Sequence, residues 1–141
     1  MSSRDAFVEF RWSVGLGWLA TVFYAGPGIF FPTAVAEFIG AAPPYDPVWP
    51  AFAFLLTCLV MLFSWPVIID PIRYQFHAVV GILGRFGLFV FWFWLYPHST
   101  HESLAAAVPW VAWLELLIGV VQALLFSFAR RDAVIRPSIS R

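Results

Sequence analysis

Four long apolar runs, separated by short polar breaks, dominate the pattern along the chain. They cover residues 12–31, 49–69, 76–96 and 109–128. Each run has about 20 residues, the length that a helix needs to cross a hydrocarbon core of about 30 Å. The runs lack the alternation of a membrane barrel strand, and backbone groups in lipid must be satisfied within a helix or a closed barrel. The pattern predicts an all-α polytopic membrane protein, with four transmembrane helices in an antiparallel bundle forming one domain over residues 1–141.

Composition supports this interpretation. The chain has 62% hydrophobic residues and a mean hydropathy of +0.84, whereas soluble globular proteins average about 45–50% apolar residues. The excess is typical of a surface that faces lipid. The sequence leaves no room for a separate soluble domain, and its eight basic residues are too few to indicate nucleic acid as a partner.

All eight basic residues are arginine, and seven of them lie on one side of the predicted membrane. The connections between the first and second runs, and between the third and fourth, contain no basic residue. Because cytoplasmic loops carry the excess of basic residues, both termini are predicted to be cytoplasmic, which requires an even number of spans. The seven residues are Arg4, Arg11, Arg73, Arg130, Arg131, Arg136 and Arg141.

The connections carry signals of their own. Pro32 ends the first run, and residues 33–39 predict one or two helical turns that Gly40 closes. Between the second and third runs, Asp70 and Pro71 predict a tight hairpin, with the aspartate as cap and the proline at the first helical position. Aromatic rings near the ends of the runs are predicted to anchor the membrane interface, namely Trp12, Trp49, Trp65, Trp92, Trp94, Tyr96 and Trp110.

Three glycines spaced by three residues form a smooth stripe on the third run. Gly81, Gly84 and Gly87 allow another helix to approach closely, so the stripe predicts close helix packing. A groove that accepts a lipid or quinone tail is the alternative.

Ionisable groups inside the apolar runs are the first candidates for chemistry. Arg85 in the third run and Glu115 in the fourth each cost about 2.5–3.5 kcal/mol at the membrane centre, and Gln122 shares a helix face with Glu115. A direct pair is not forced, because helical side chains lean toward their own N-terminus and these two would lean apart; Gln122 or water could bridge them. Three interpretations stay open: a structural polar clamp, a proton or ion relay, and snorkelling of Arg85 toward the cytoplasm.

The histidines give weaker signals. His98 and His101 have the spacing of two metal ligands on one helical turn, with Glu102 beside them, but a further ligand would have to come from elsewhere. His77 lies at the inner end of the third run, so no two histidines face each other at one depth as a transmembrane haem requires. We therefore predict no metal site, and no haem held by this chain alone.

Catalytic motifs are absent from the sequence. It contains no P-loop, no GxGxxG fingerprint, no GxSxG elbow and no HExxH motif. Its single cysteine, Cys58, forms neither an internal disulfide nor a cysteine-based metal cage. The sequence thus favours a protein that is not an enzyme and predicts no cofactor. Contact with a quinone, haem or pigment through His77, Arg85 and Glu115 stays an alternative.

Several short motifs resemble those of DoxX-like proteins, small four-helix membrane proteins of bacteria. They are the turn Asp70-Pro71-Ile72-Arg73, the segment Gly81-Ile82-Leu83-Gly84-Arg85, the acidic Glu115 in the fourth run, and Pro32 followed by Pro43-Pro44. The resemblance implies a four-helix fold, a multi-pass location in the bacterial inner membrane and, in some members, association with membrane oxidoreductases. It implies no catalytic residue.

The function expected from the sequence is that of a non-catalytic accessory subunit of a larger membrane complex, respiratory or photosynthetic. Sixteen phenylalanines and eight tryptophans exceed what one small bundle needs for its own core and can line neighbouring subunits, pigments or lipids. The expected partners are membrane lipids and other membrane-protein subunits. Two alternatives are a quinone- or haem-associated anchor of an oxidoreductase and a small transporter or lipid-handling protein.

Overall fold

In a computed structural model of the chain, residues 3–40, 48–95 and 109–135 are described, and these residues form five helices and no strand. Helix α1 covers Ser3–Phe30, α2 covers Pro32–Phe38 and α3 covers Val48–Ile69. Helix α4 covers Gln75–Val90 and continues as a π-helical turn over Phe91–Leu95, and α5 covers Trp110–Ile135. The predicted all-α fold is confirmed.

Four of these helices are long and apolar enough to cross a membrane. The qualifying stretches are Asp5–Phe30, Pro50–Ile69, Gln75–Trp94 and Trp110–Arg131, with mean hydropathies of 1.3, 2.4, 1.7 and 2.0. They are consistent with a multi-pass membrane protein. Helix α1 extends well before the first predicted span, because the mixed-charge N-terminal segment continues the helix from Ser3.

The four long helices form a ring in which each packs on its two neighbours. Helix α1 contacts α3 and α5, and α4 also contacts α3 and α5, whereas within the described residues no two Cα atoms of a diagonal pair lie within 8 Å of each other. Neighbours run antiparallel. Gly28, late in α1, faces Phe54, early in α3, while the ring of Trp18, earlier in α1, lies 5.1 Å from that of Trp65, late in α3.

Glycine sets how closely α3 and α4 approach. A Cβ atom at Gly84 would lie 2.5 Å from Val60 Cγ1, and one at Gly81 would lie 3.0 Å from Ser64 Cβ. The close packing predicted from the glycine stripe is therefore present at two of its three positions. The third position differs, since a Cβ atom at Gly87 would meet nothing within 4 Å.

Asp70 organises the turn between α3 and α4. Its Oδ1 atom accepts hydrogen bonds from the backbone N–H groups of Ile72 (3.0 Å) and Arg73 (3.1 Å), and its carbonyl oxygen accepts one from Tyr74 N–H at 3.1 Å. The predicted capped hairpin is present. The proline, however, is not the first residue of the next helix, because the aspartate caps a turn over residues 71–74 and α4 begins only at Gln75.

Helix α2 lies at the end of the bundle opposite the Asp70 turn. Gly40 closes it with a φ of +76°, a left-handed conformation that glycine adopts without a Cβ clash, as the sequence predicted. Trp110 then fastens α2 to the start of α5, since its backbone N–H donates to the Ile39 carbonyl oxygen (3.2 Å) and its indole Nε1–H to that of Phe38 (3.1 Å). The segment with Pro43 lies outside the described residues.

The apolar interior is divided into two clusters. One lies toward α2 and contains Tyr24, Phe54 and Trp92, and the other lies toward the Asp70 turn and contains Phe10 and Phe126. The prediction that Trp92 anchors the interface is wrong. Its side chain is 0% exposed and packs 5.4 Å from the ring of Phe54, because α4 presents this position to the bundle interior. The predicted anchors that are exposed are Trp12, Trp65, Trp94 and Trp110, and the side chains of Trp49 and Tyr96 lie outside the described part.

Candidate functional site: a buried polar cluster

A layer of buried polar side chains separates the two apolar clusters. Arg85 is 2% exposed, Glu115 0% and Gln122 3%, so all three intramembrane polar residues predicted from the sequence lie in the bundle interior. Two threonines and a serine are also buried in the long helices, namely Thr21, Thr57 and Ser64. Each of the four long helices therefore contributes at least one buried polar side chain to the bundle interior.

Arg85 and Glu115 form a direct ion pair. Arg85 Nη1 lies 2.5 Å from Glu115 Oε2, which answers the question that the sequence left open. The expectation that the two side chains lean apart considers only the heights of their backbones along the bundle. The long side chain of Arg85 spans the difference in height. Gly119 on α5 leaves room for that side chain, because a Cβ atom there would lie 3.1 Å from Arg85 Cβ.

Two hydroxyl groups of α1 form hydrogen bonds with this ion pair. Tyr24 Oη donates to Glu115 Oε1 at 2.8 Å. The Thr21 hydroxyl lies 2.8 Å from Glu115 Oε1 and 2.9 Å from the Gly17 carbonyl oxygen, and it also accepts a hydrogen bond from Arg85 Nη1. Both carboxylate oxygens thus have donors, as a buried charge requires. We refer to Thr21, Tyr24, Arg85 and Glu115 as the polar cluster.

Neither Thr21 nor Tyr24 was predicted as a site residue, although the sequence contains a signal for both. Gly17, Thr21 and Tyr24 follow one another at i, i+4 and i+7, which places them on a single face of α1. Glu115 and Gln122 form a matching polar face at i and i+7 on α5. A search for polar stripes on every span, rather than for ionisable residues alone, would have found the α1 contribution.

Gln122 does not bridge the ion pair. Its Nε2 atom donates to the Ser13 carbonyl oxygen at 3.2 Å and so fastens α5 to an earlier turn of α1. Gly17 makes this arrangement possible. A Cβ atom at that position would lie 2.8 Å from Ile118 Cγ2, 2.9 Å from Arg85 Nη2 and 3.0 Å from Gln122 Nε2.

The polar cluster joins α1 and α4, which lie diagonally across the bundle. Arg85 projects from α4 across the bundle to Thr21 on the diagonal helix α1, and to Glu115 on the neighbouring α5. Snorkelling of Arg85 does not occur here, since the guanidinium is buried and engaged. The arrangement joins side chains of three helices, and its two charged groups neutralise each other.

Aromatic rings close the polar cluster on the α2 side. The Tyr24 ring packs edge-on against Phe54 (6.5 Å) and Trp92 (6.4 Å). This apolar surround makes the electrostatic attraction within the pair stronger than it would be in water. It also raises the cost of leaving either charge without its partner.

The residues predicted to contact a quinone or haem are split between two places. Arg85 and Glu115 are in contact, but His77 lies eight residues earlier on α4, about 12 Å along the helix. The His77 ring stacks on Phe63 at 5.4 Å and meets Tyr74 and Phe76 edge-on. His77 is therefore part of an aromatic group near the Asp70 turn.

The weak metal candidates His98, His101 and Glu102 lie outside the described residues. Within the described ranges, no group of three or more histidine, cysteine, aspartate or glutamate side chains is arranged to hold a metal ion. Cys58 is a free, half-buried cysteine on α3.

Comparison with protein families, with curated proteins and with solved structures finds no match to this chain.

Proposed function

We propose that this chain is a non-catalytic accessory subunit of a larger membrane complex, and that the polar cluster is its internal structural clamp. The chain would lie in a bacterial inner membrane with both termini in the cytoplasm. A respiratory or photosynthetic complex suits it as host, because an aromatic-rich surface can pack against neighbours that carry pigments, quinones or lipids.

The observation that carries this proposal is the enclosure of the polar cluster. Glu115, the side chain through which a proton relay would run, is 0% exposed and bonded to Arg85, which is 2% exposed. Tyr24 and Thr21 occupy the remaining carboxylate oxygen. A group that exchanges protons or binds a substrate needs access, whereas a clamp needs satisfied partners.

The outer surface supports a role in assembly. Large aromatic side chains are widely exposed on it, including Trp12, Phe23, Phe30 and Phe76, and Phe30 reaches 77%. Lipid covers part of this surface in a membrane. Aromatic residues are also enriched where protein partners meet, so neighbouring subunits are the partners that we propose beside lipid.

The positions of the exposed arginines support the proposed orientation. Arg11 on α1, Arg73 in the turn after α3, and Arg130 and Arg131 late in α5 are all exposed. The antiparallel arrangement brings these positions to the same end of the bundle, which under the positive-inside rule is the cytoplasmic end.

The test is purification of the tagged chain, produced at its natural level, in a mild detergent, followed by native mass spectrometry. We expect the chain in a defined assembly with at least one other membrane subunit at fixed stoichiometry. A chain that is recovered only as a monomer under conditions that preserve other membrane complexes would contradict the accessory role.

A double variant separates the clamp from the relay alternative. Arg85→Met combined with Glu115→Gln removes both charges without leaving one unpaired. We expect the host complex to assemble and to keep its activity with this variant. Normal assembly with lost activity would instead favour a proton or ion relay through Glu115.

A further inference from the structure

Helices α3 and α4 pack tightly over one part of their length and separate over another. Near the Asp70 turn, Gly81 and Gly84 bring α4 against Ser64 and Val60. Further along, at Gly87, a Cβ atom would meet nothing within 4 Å. The separation leaves a cavity of about 180 Å³, which we call the α3–α4 groove; Ala53, Thr57 and Val60 line it from α3, and Gly87, Leu88 and Phe91 from α4.

The α3–α4 groove has no free polar side chain to which a water molecule could bond. Thr57 is the one lining residue with a polar side chain, and its hydroxyl donates to the Ala53 carbonyl oxygen of the same helix at 2.8 Å. A buried water needs about two to four polar partners. An empty space of this size would leave its lining atoms without van der Waals contacts on one side, so an apolar occupant is favoured.

The groove opens toward the surroundings of the bundle rather than into its centre. Gly87 is exposed, and so is the lining residue Leu56. Thr57 lies nine residues into α3, about 14 Å from its start, and Gly87 lies in the second half of α4. Both α3 and α4 are among the four candidate spans, so at this depth the surrounding medium is hydrocarbon.

We propose that the α3–α4 groove binds one acyl chain of a membrane phospholipid. A phospholipid keeps its headgroup at the membrane surface and sends only hydrocarbon to this depth, which matches a lining without a free polar group. A quinone would also have to place its polar ring. The groups suited to hold that ring are elsewhere, since Arg85 and Glu115 are engaged with each other, and His77 lies ten residues before Gly87, about 15 Å away along α4.

The chain offers a matched pair of glycines for a test. Gly87→Leu places a side chain in the groove without a clash at its Cβ atom. Gly15→Leu does the same on α1, where a Cβ atom also meets nothing within 4 Å, but away from the groove. The experiment reconstitutes the full-length protein in liposomes with a phosphatidylcholine that carries a photoreactive diazirine in one acyl chain. Mass spectrometry then maps the labelled residues.

We expect labelling to concentrate on the groove-lining segments of α3 and α4, above that at exposed apolar positions outside the groove such as Leu19 and Leu62. Gly87→Leu should abolish this excess, and Gly15→Leu should leave it intact. Gly87→Ala, which adds a single methyl group, should reduce it partly and guards against misfolding of the larger variant.

Three results would overturn the proposal. Uniform labelling of all exposed apolar positions would mean that the groove holds no preferred chain. Displacement of the label by a long-chain quinone added at a small fraction of the phospholipid would identify an isoprenoid occupant. A groove that stays unlabelled in a chain recovered as a stable dimer would identify a second copy instead. The proposal does not depend on the accessory role, because it is tested on the isolated chain in liposomes.

Discussion

Helix α4 meets its neighbours in two different ways. On one side it reaches α5, and through the bundle α1, with a charged guanidinium that is held by a carboxylate and a hydroxyl. On the other side it meets α3 through glycines and apolar side chains. The hydroxyls of Thr57 and Ser64 on α3 bond within α3 itself, whereas those of Thr21 and Tyr24 on α1 reach Glu115 on α5.

The two sides of α4 contribute differently to the specificity of the bundle. Apolar packing in lipid has no strong hydrophobic driving force between helices, so it tolerates a local gap such as the α3–α4 groove. A buried ion pair tolerates no such gap, because each charge is costly without its partner. We infer that the polar cluster fixes the register of α1, α4 and α5. Helix α3 is positioned mainly by the packing of apolar side chains and glycines.

The largest expected effect is the loss of one charge. Glu115→Ala leaves the Arg85 guanidinium buried without its counter-ion, and breaking a buried pair in this way costs about 3–5 kcal/mol. Equilibrium unfolding from a mild detergent into sodium dodecyl sulfate measures the change. Ser64→Ala, on the α3 side, loses only a bond within its own helix and should cost about 1 kcal/mol or less. Comparable losses for the two variants would remove the distinction between the two sides.

A second expected effect comes from a single methyl group at the polar cluster. Gly17→Ala would place its Cβ atom against Ile118, Arg85 and Gln122, and overpacking of this kind costs about 1–3 kcal/mol. Gly15→Ala, two residues earlier, meets nothing within 4 Å and should gain about 0.5–1 kcal/mol, because alanine favours the helix over glycine. Opposite signs in the same unfolding measurement would support the close approach at Gly17, whereas equal signs would argue against it.

A smaller effect is expected from single hydroxyl groups. Tyr24→Phe removes a donor to the buried carboxylate, and hydrogen bonds between membrane helices are worth about 0.6–1.7 kcal/mol. Thr57→Val removes a hydroxyl that bonds its own helix at the groove, where we expect a change of about 0.5 kcal/mol or less. Thermal unfolding in detergent resolves the order of the two variants. A larger loss for Thr57→Val would reverse the comparison.

Much of the fold follows from local signals in the sequence. The four spans are set by the length of apolar runs, and the Asp70 turn by an aspartate followed by proline. The end of α2 depends on a glycine that adopts a positive φ. Each of these features depends on a few adjacent residues, which is why it could be predicted.

The candidate site was only partly predictable for a physical reason. The burial of Arg85 and Glu115 follows from the cost of a charge in lipid, but their direct contact depends on space that Gly17 provides on α1 and Gly119 on α5. Such space is a property of packing between distant segments. The inward position of Trp92 was missed for the same reason, since proximity to the end of a run does not show which face of the helix a residue occupies.

A double-mutant cycle between Arg85 and Glu115 tests the structural clamp most directly. The cycle compares Arg85→Met, Glu115→Gln and the double variant with the wild-type chain by equilibrium unfolding in mixed detergent micelles. We predict that the double variant loses less stability than the two single variants together, by about 1–3 kcal/mol, because each single change strands one charge and the double change strands neither. Losses that add to within about 0.5 kcal/mol would show that the two side chains are not coupled, and would contradict the clamp.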